Sequence, residues 1–213
     1  MQALERTVVD TNWITILLVL LLACIFLLKG VNANRLKGSL SSLINNSFIE
    51  TEIEDNSSFF NLFQSIIFVF SMLVLSLFLF KIMLFYFGEN AHNLFSYFKI
   101  LSVVFSYFTI KWLLEFLFSH LFKINKQVKF FLVSKHNYLY SISFFLLIAV
   151  VLVEYSQLNT SFLVYFSIVL FSIRFLFHVI NNKKLVFSKL FYFILYLCAF
   201  EIAPLFILFK LMF

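Results

Sequence analysis

Four charged residues lie inside long apolar stretches of the sequence, and their types are those that could bind ions, move protons or pair with one another. They are Lys111, Glu115, Arg174 and Glu201. A charge at the centre of a bilayer costs about 2.5 to 3.5 kcal/mol on insertion scales, so it usually faces a partner or a water-filled cavity. Two acids and two bases sum to zero, which allows every charge in a buried cluster to have a partner. We call these residues the charged quartet.

The depths of the four charges predict how they pair. Lys111 and Glu201 both lie near the middle of their apolar stretches, while Glu115 and Arg174 lie about one helical turn nearer the same end. We therefore predict the pairs Lys111–Glu201 and Glu115–Arg174. A local pair of Lys111 with Glu115, four residues apart on one helix, is the alternative. The quartet could pin helices, line a proton or substrate pathway, or recognise lipid or peptide. We favour pinning.

Pro204 predicts a break in the helix that carries Glu201. Proline has no backbone N–H, so the carbonyl four residues earlier, that of Phe200, loses its usual donor. In membrane helices such breaks often line cavities. A simple packing kink is the commoner outcome.

Three histidines give a weaker signal. His120, His136 and His178 fall near the same ends of their apolar stretches, and two such imidazoles could ligate haem or a metal. Isolated histidines at a membrane interface are much commoner. The sequence contains no His-Glu-x-x-His, no Gly-x-Ser-x-Gly and no phosphate-binding glycine loop. We therefore predict no catalytic residue, no metal site and no cofactor.

The composition indicates an integral membrane protein. Of 213 residues, 63% are hydrophobic and 12% are charged, against about 25% charged in soluble domains. The net charge of +6 comes from lysines and arginines beside apolar stretches instead of a basic patch with exposed aromatics, which argues against a nucleic-acid partner. Cys24 and Cys198 lie inside apolar stretches and have no metal-ligand spacing, so they are expected to be small buried hydrophobic residues.

The pattern of apolar stretches predicts an all-α fold: one membrane domain, residues 1–213, built as a bundle of six transmembrane helices. No stretch has the strict alternation of a membrane barrel. The first stretch is expected to be a retained helix and not a signal peptide, because its apolar run continues beyond the small residues of a possible cleavage site. The predicted spans are residues 13–28, 59–87, 94–122, 138–153, 162–180 and 190–209.

Basic residues predict the orientation. Ten of them follow the first, third and fifth spans, whereas Arg6 and Lys210 flank the two ends of the chain. Positively charged short loops stay in the cytoplasm, so both termini are predicted to be external. The first cytoplasmic loop, residues 29–58, also carries apolar residues near helical spacing, which predicts an amphipathic helix on the inner leaflet. Those apolar residues are Leu36, Leu40, Leu43, Ile44 and Phe48.

Two stretches carry a family resemblance. The residues Asp10-Thr11-Asn12-Trp13-Ile14-Thr15 enter the first span, and Leu195-Tyr196-Leu197-Cys198-Ala199-Phe200-Glu201-Ile202-Ala203-Pro204-Leu205 lie in the last. Together they resemble an uncharacterised family of multi-pass inner-membrane proteins from Bacteroidota, classed as a domain of unknown function. The resemblance covers nearly the whole chain and implies a location in the inner membrane. It assigns no catalytic residue.

These observations favour a non-enzymatic structural or accessory subunit of a bacterial envelope assembly. Its expected partners are the lipid bilayer and other envelope membrane proteins. The alternative is a small transporter or proton-coupled channel that uses the charged quartet. A distant third is a haem- or lipid-handling membrane enzyme that uses the three histidines.

Overall fold

The chain folds into α-helices throughout the part that the structure describes, which confirms the all-α prediction. The structure is a computed structural model; it describes residues 12–42, 62–87, 94–121, 125–156 and 158–181, with the backbone alone over most of 114–135 and 177–181. The sixth predicted span, residues 190–209, lies outside these ranges. The helices are α1 Asn12–Ser41, α2 Leu62–Phe87, α3 Leu94–Leu121, α4 Asn125–Tyr155 and α5 Thr160–Asn181.

Four of these helices, α1 to α4, are long and apolar enough to cross a membrane. The apolar stretch of α5, Thr160–Arg174, is shorter. Helices α2, α3 and α5 follow the predicted spans closely, whereas α1 and α4 extend past theirs. Helix α1 continues to Ser41, and α4 already begins at Asn125, because polar and basic residues are also good helix formers once an apolar segment has nucleated the helix.

Helices α2 and α4 form the centre of the bundle. In the most apolar window of each, 56% of the residues are buried, against 22% in α1 and 17% in α3. The two central helices run in the same direction: the ring of Phe70 packs on that of Phe144, and about three turns further along both helices Lys81 meets Glu154. Helix α1 packs on both central helices, α3 chiefly on α2, and α5 chiefly on α4.

The contacts at the helix ends show how the chain alternates through the bundle. Trp13, at the start of α1, contacts Phe80 near the end of α2 and Tyr97 near the start of α3. Thr15 of α1 also meets Tyr155 at the end of α4. Each helix therefore runs opposite to the one before it, as short polar connections between spans require. We call this end of the bundle the Trp13 end.

Helix α1 is broken at Asn32, which has an extended backbone (φ −161°, ψ 97°). The Asn32 side chain accepts a hydrogen bond from the backbone N–H of Arg35 at 3.0 Å. This is the geometry of a helix N-cap, for which asparagine is one of the favoured residues. The chain thus ends one helix and starts another with a single residue, and we call residues 33–42 the elbow segment.

The elbow segment packs against α4. Its buried residues recur three apart, Leu36, Ser39 and Ser42, which places them on one helix face. The sequence predicted a helix here, and the helix is present up to Ser41, but Leu36 is buried within the protein. Leu40 is 39% exposed. The rest of the predicted apolar face, Leu43, Ile44 and Phe48, lies outside the described residues, so its placement on the inner leaflet stays a prediction.

Candidate functional site

An ion pair joins the two central helices. The Lys81 ammonium on α2 donates to a carboxylate oxygen of Glu154 on α4, and the two side chains are only 13% and 15% exposed. Both lie at the Trp13 end. A buried charge is tolerated when its partner is held in direct contact. Because the pair joins parallel central helices on which the other three pack, it fixes their relative depth as well as their separation.

Three aromatic residues cover the interior next to this pair. Trp13 meets Phe80 edge to face with ring centroids 5.2 Å apart, and its ring lies 5.5 Å from that of Tyr97. Phe80 directly precedes Lys81 and is itself in edge contact with Tyr97. Such ring pairs contribute about 0.5 to 1.5 kcal/mol beyond their area burial. The aromatic cluster of Trp13, Phe80 and Tyr97 therefore ties α1 and α3 to α2.

The Tyr97 hydroxyl is buried but has partners. It forms a hydrogen bond of 3.1 Å with the Ser76 hydroxyl, and both hydroxyls approach the Leu73 carbonyl, at 2.9 Å from Ser76 and 3.5 Å from Tyr97. A tyrosine buried in an apolar bundle needs such a partner. This network is satisfied without solvent, so it serves helix packing well.

The other buried serines of the bundle interior bond within their own helices. Ser71 donates to the Phe68 carbonyl at 2.8 Å, and Ser143 donates to that of Leu139 at 2.9 Å. Ser167 donates to the Val164 carbonyl at 2.8 Å. These bonds to the preceding turn satisfy a hydroxyl in an apolar environment. The small side chains then let neighbouring helices approach closely, which replaces the missing glycine motif.

The structure describes two of the predicted charged quartet with their side chains. Lys111 is half-buried on α3; its Nζ lies 3.5 Å from the Tyr107 hydroxyl and 5.5 Å from the centre of that ring. Arg174 is half-buried on α5. Glu115 lies one turn beyond Lys111 on α3, and its side chain is outside the described part, as are Glu201 and Pro204. The two predicted pairs therefore stay predictions.

The histidines are only partly described. His136 is half-buried on α4, with its ring 6.3 Å from that of Tyr140. His120 lies on α3 and His178 on α5, but their side chains are outside the described part. Among the described residues, no three His, Cys, Asp or Glu side chains are grouped as a metal site would require.

Sequence reasoning missed the pair that the structure brings together. Lys81 was counted as part of an apolar span, and Glu154 falls one residue beyond the predicted span 138–153. The available signal was that each is a lone charge next to a long apolar run, with opposite sign. Depth alone could have matched them, because both lie about one to two turns from the same ends of their helices.

Long apolar helices, a paired charge and self-satisfied hydroxyls define a helical protein consistent with insertion in a membrane. The chain belongs to the family described as a domain of unknown function (DUF4271), whose model matches residues 14–212. None of the curated proteins and none of the solved structures matches it. The family match agrees with the resemblance seen in the sequence and adds no activity.

Proposed function

We propose that this protein is a non-enzymatic subunit that contributes structure to an assembly of the bacterial envelope, or accompanies one, in the inner membrane. The Lys81–Glu154 pair supports this proposal most directly. Its two charges meet each other across the central helices, as expected of charges that hold helices together. The charged quartet would act in the same way between α3, α5 and the span at residues 190–209.

The least covered helices suggest where neighbours would sit. Helix α1 exposes a row of large apolar side chains that includes Ile16, Leu20 and Phe26, with Phe26 73% exposed. Helix α3 exposes Phe95, Phe98 and Phe105. In a membrane these faces contact lipid or the helices of other proteins, which are the partners that the proposal requires.

A transporter or proton-coupled channel is the second candidate, and one observation favours it. Lys81 and Glu154 each keep a small exposed fraction, and a carboxylate next to an ammonium can exchange a proton. A pathway would need these groups to become accessible from both sides of the membrane. A pinning role needs only that they stay together.

A charge swap separates these roles. The single variants Lys81→Glu and Glu154→Lys place like charges together, so each should reduce the amount of protein in the membrane. The double variant restores an opposite pair with reversed order. We expect it to recover abundance, together with whatever proteins co-purify with the wild type in a mild detergent. A stable wild-type protein that co-purifies with no other protein would refute the accessory-subunit role.

A further inference from the structure

The contact between the elbow segment and α4 is polar, unlike the other helix contacts. Four of its residues are small or polar and at most 5% exposed. The Ser42 hydroxyl donates to the Ser39 carbonyl at 2.8 Å and lies 3.4 Å from that of Asn137. From the other side, the Ser141 hydroxyl donates to the Leu40 carbonyl at 2.9 Å. We call Ser39, Ser42, Asn137 and Ser141 the polar seam.

One hydroxyl in the polar seam is different from the rest. Ser39 is 1% exposed, and within the part of the chain that the structure describes its Oγ is a buried polar atom with no hydrogen-bond partner. Ser39 shares a helix face with Leu36 and Ser42, so it points toward α4. Buried hydroxyls nearly always have a partner, and an orphaned one indicates a small molecule bonded to it.

We infer that a buried water molecule occupies the polar seam and bonds to Ser39 Oγ. A buried water needs two to four polar partners. The last carbonyls of a helix have no intrahelical donor, and each carbonyl oxygen accepts two hydrogen bonds. The carbonyls of Leu40 and Asn137 therefore keep capacity beyond the serine hydroxyls that approach them. Ser39 supplies the remaining contact.

The chemistry of the seam favours water over a metal ion. Its side chains are hydroxyls and an amide, with no carboxylate to balance a cation's charge. The serine hydroxyls are already engaged with carbonyl oxygens, whereas a cation would need several of these oxygens turned toward itself. A water molecule can both donate to a carbonyl and accept from Ser39, so it satisfies both kinds of group. The site is independent of the proposed envelope role.

The variant Ser39→Ala tests this inference because the two possibilities predict opposite shifts. If Ser39 Oγ is truly unpartnered, removing it relieves a buried polar group, and the melting temperature in detergent stays the same or rises. If water bridges the seam, the water loses a partner, and the melting temperature should fall by about 2 to 4 °C. Ser143→Ala is the matched control, since that buried serine bonds only within its own helix as far as its described contacts go.

A high-resolution experimental structure of the wild type provides the second readout, which does not depend on the variant folding. We expect density for one water within hydrogen-bond distance of Ser39 Oγ. A direct bond from Ser39 to a protein group would overturn the inference, as would an unchanged or raised melting temperature of Ser39→Ala. Stabilisation of the wild type by sodium and not by potassium would also overturn it, in favour of a cation.

Discussion

Lys81 on α2 and Glu154 on α4 form an ion pair that joins the two central, parallel helices of the bundle. Parallel helices that are not adjacent in sequence have no short connection to set their register, so side-chain contacts must do it. This pair, together with the Phe70–Phe144 ring contact three turns away, fixes that register. The other helices pack on the frame that results.

Breaking this pair from one side should destabilise the protein more than removing it completely. Removing one member of a buried pair leaves an uncompensated charge, which typically costs about 3 to 5 kcal/mol. We therefore expect Lys81→Met to lower the melting temperature in detergent strongly. The double variant Lys81→Met, Glu154→Leu should recover most of the loss.

Lys99→Met is the control for this comparison. Lys99 is an exposed lysine near the same end of the bundle, with its Nζ over the Phe95 ring at 4.7 Å. An exposed substitution of this kind usually changes stability by less than about 0.5 kcal/mol. If Lys81→Met behaves like this control, the ion pair does not hold the central helices.

The Tyr97 hydroxyl is predicted to matter less than its ring. Tyr97→Phe removes the hydrogen bond with Ser76 but leaves that hydroxyl bonded to the Leu73 carbonyl, so the cost should be about 0.5 to 1.5 kcal/mol. Tyr97→Ala also removes the ring from the aromatic cluster and should cost about 3 to 5 kcal/mol. Thermal melts of both variants, with the exposed Tyr165→Phe as control, test this order. Equal losses for both Tyr97 variants would contradict it.

Much of the architecture could be predicted from the sequence, because long apolar runs have few alternatives in a membrane. Helices α2, α3 and α5 lie where hydropathy places them. Hydropathy could not predict the break at Asn32, because it depends on a local cap between two segments that are both helical. The Lys81–Glu154 pair was also out of reach, since it depends on which helices are neighbours, and charge depth alone leaves many pairings open.

The predicted orientation can be tested at two connections. Ten basic residues follow the first, third and fifth spans, so a reporter fused at Asn125 should be cytoplasmic and one fused at Asn159 should be external. In the structure, Asn159 directly precedes α5 and accepts a hydrogen bond from the Ser161 N–H at 3.4 Å, at the Trp13 end. Reporter signals from the same side of the membrane would contradict the topology.

The pair Lys111–Glu201 remains a prediction from depth and charge, and a double variant tests it. Glu201→Ala should destabilise the protein more than the apolar replacement of both residues, because the single change leaves Lys111 charged and buried. Thermal stability in detergent compares the two variants. Equal damage from both, or none from either, would rule out this pairing.

Proton flux in reconstituted vesicles tests most directly whether the buried charges pin helices or form a pathway. The account predicts that vesicles containing wild-type protein move protons no faster than empty vesicles under an imposed potential. Glu154→Gln, which keeps the shape of the side chain but cannot ionise, should leave that rate unchanged while lowering the protein's stability. Proton flux through the wild type that disappears in Glu154→Gln, with normal membrane abundance of the variant, would contradict the structural role.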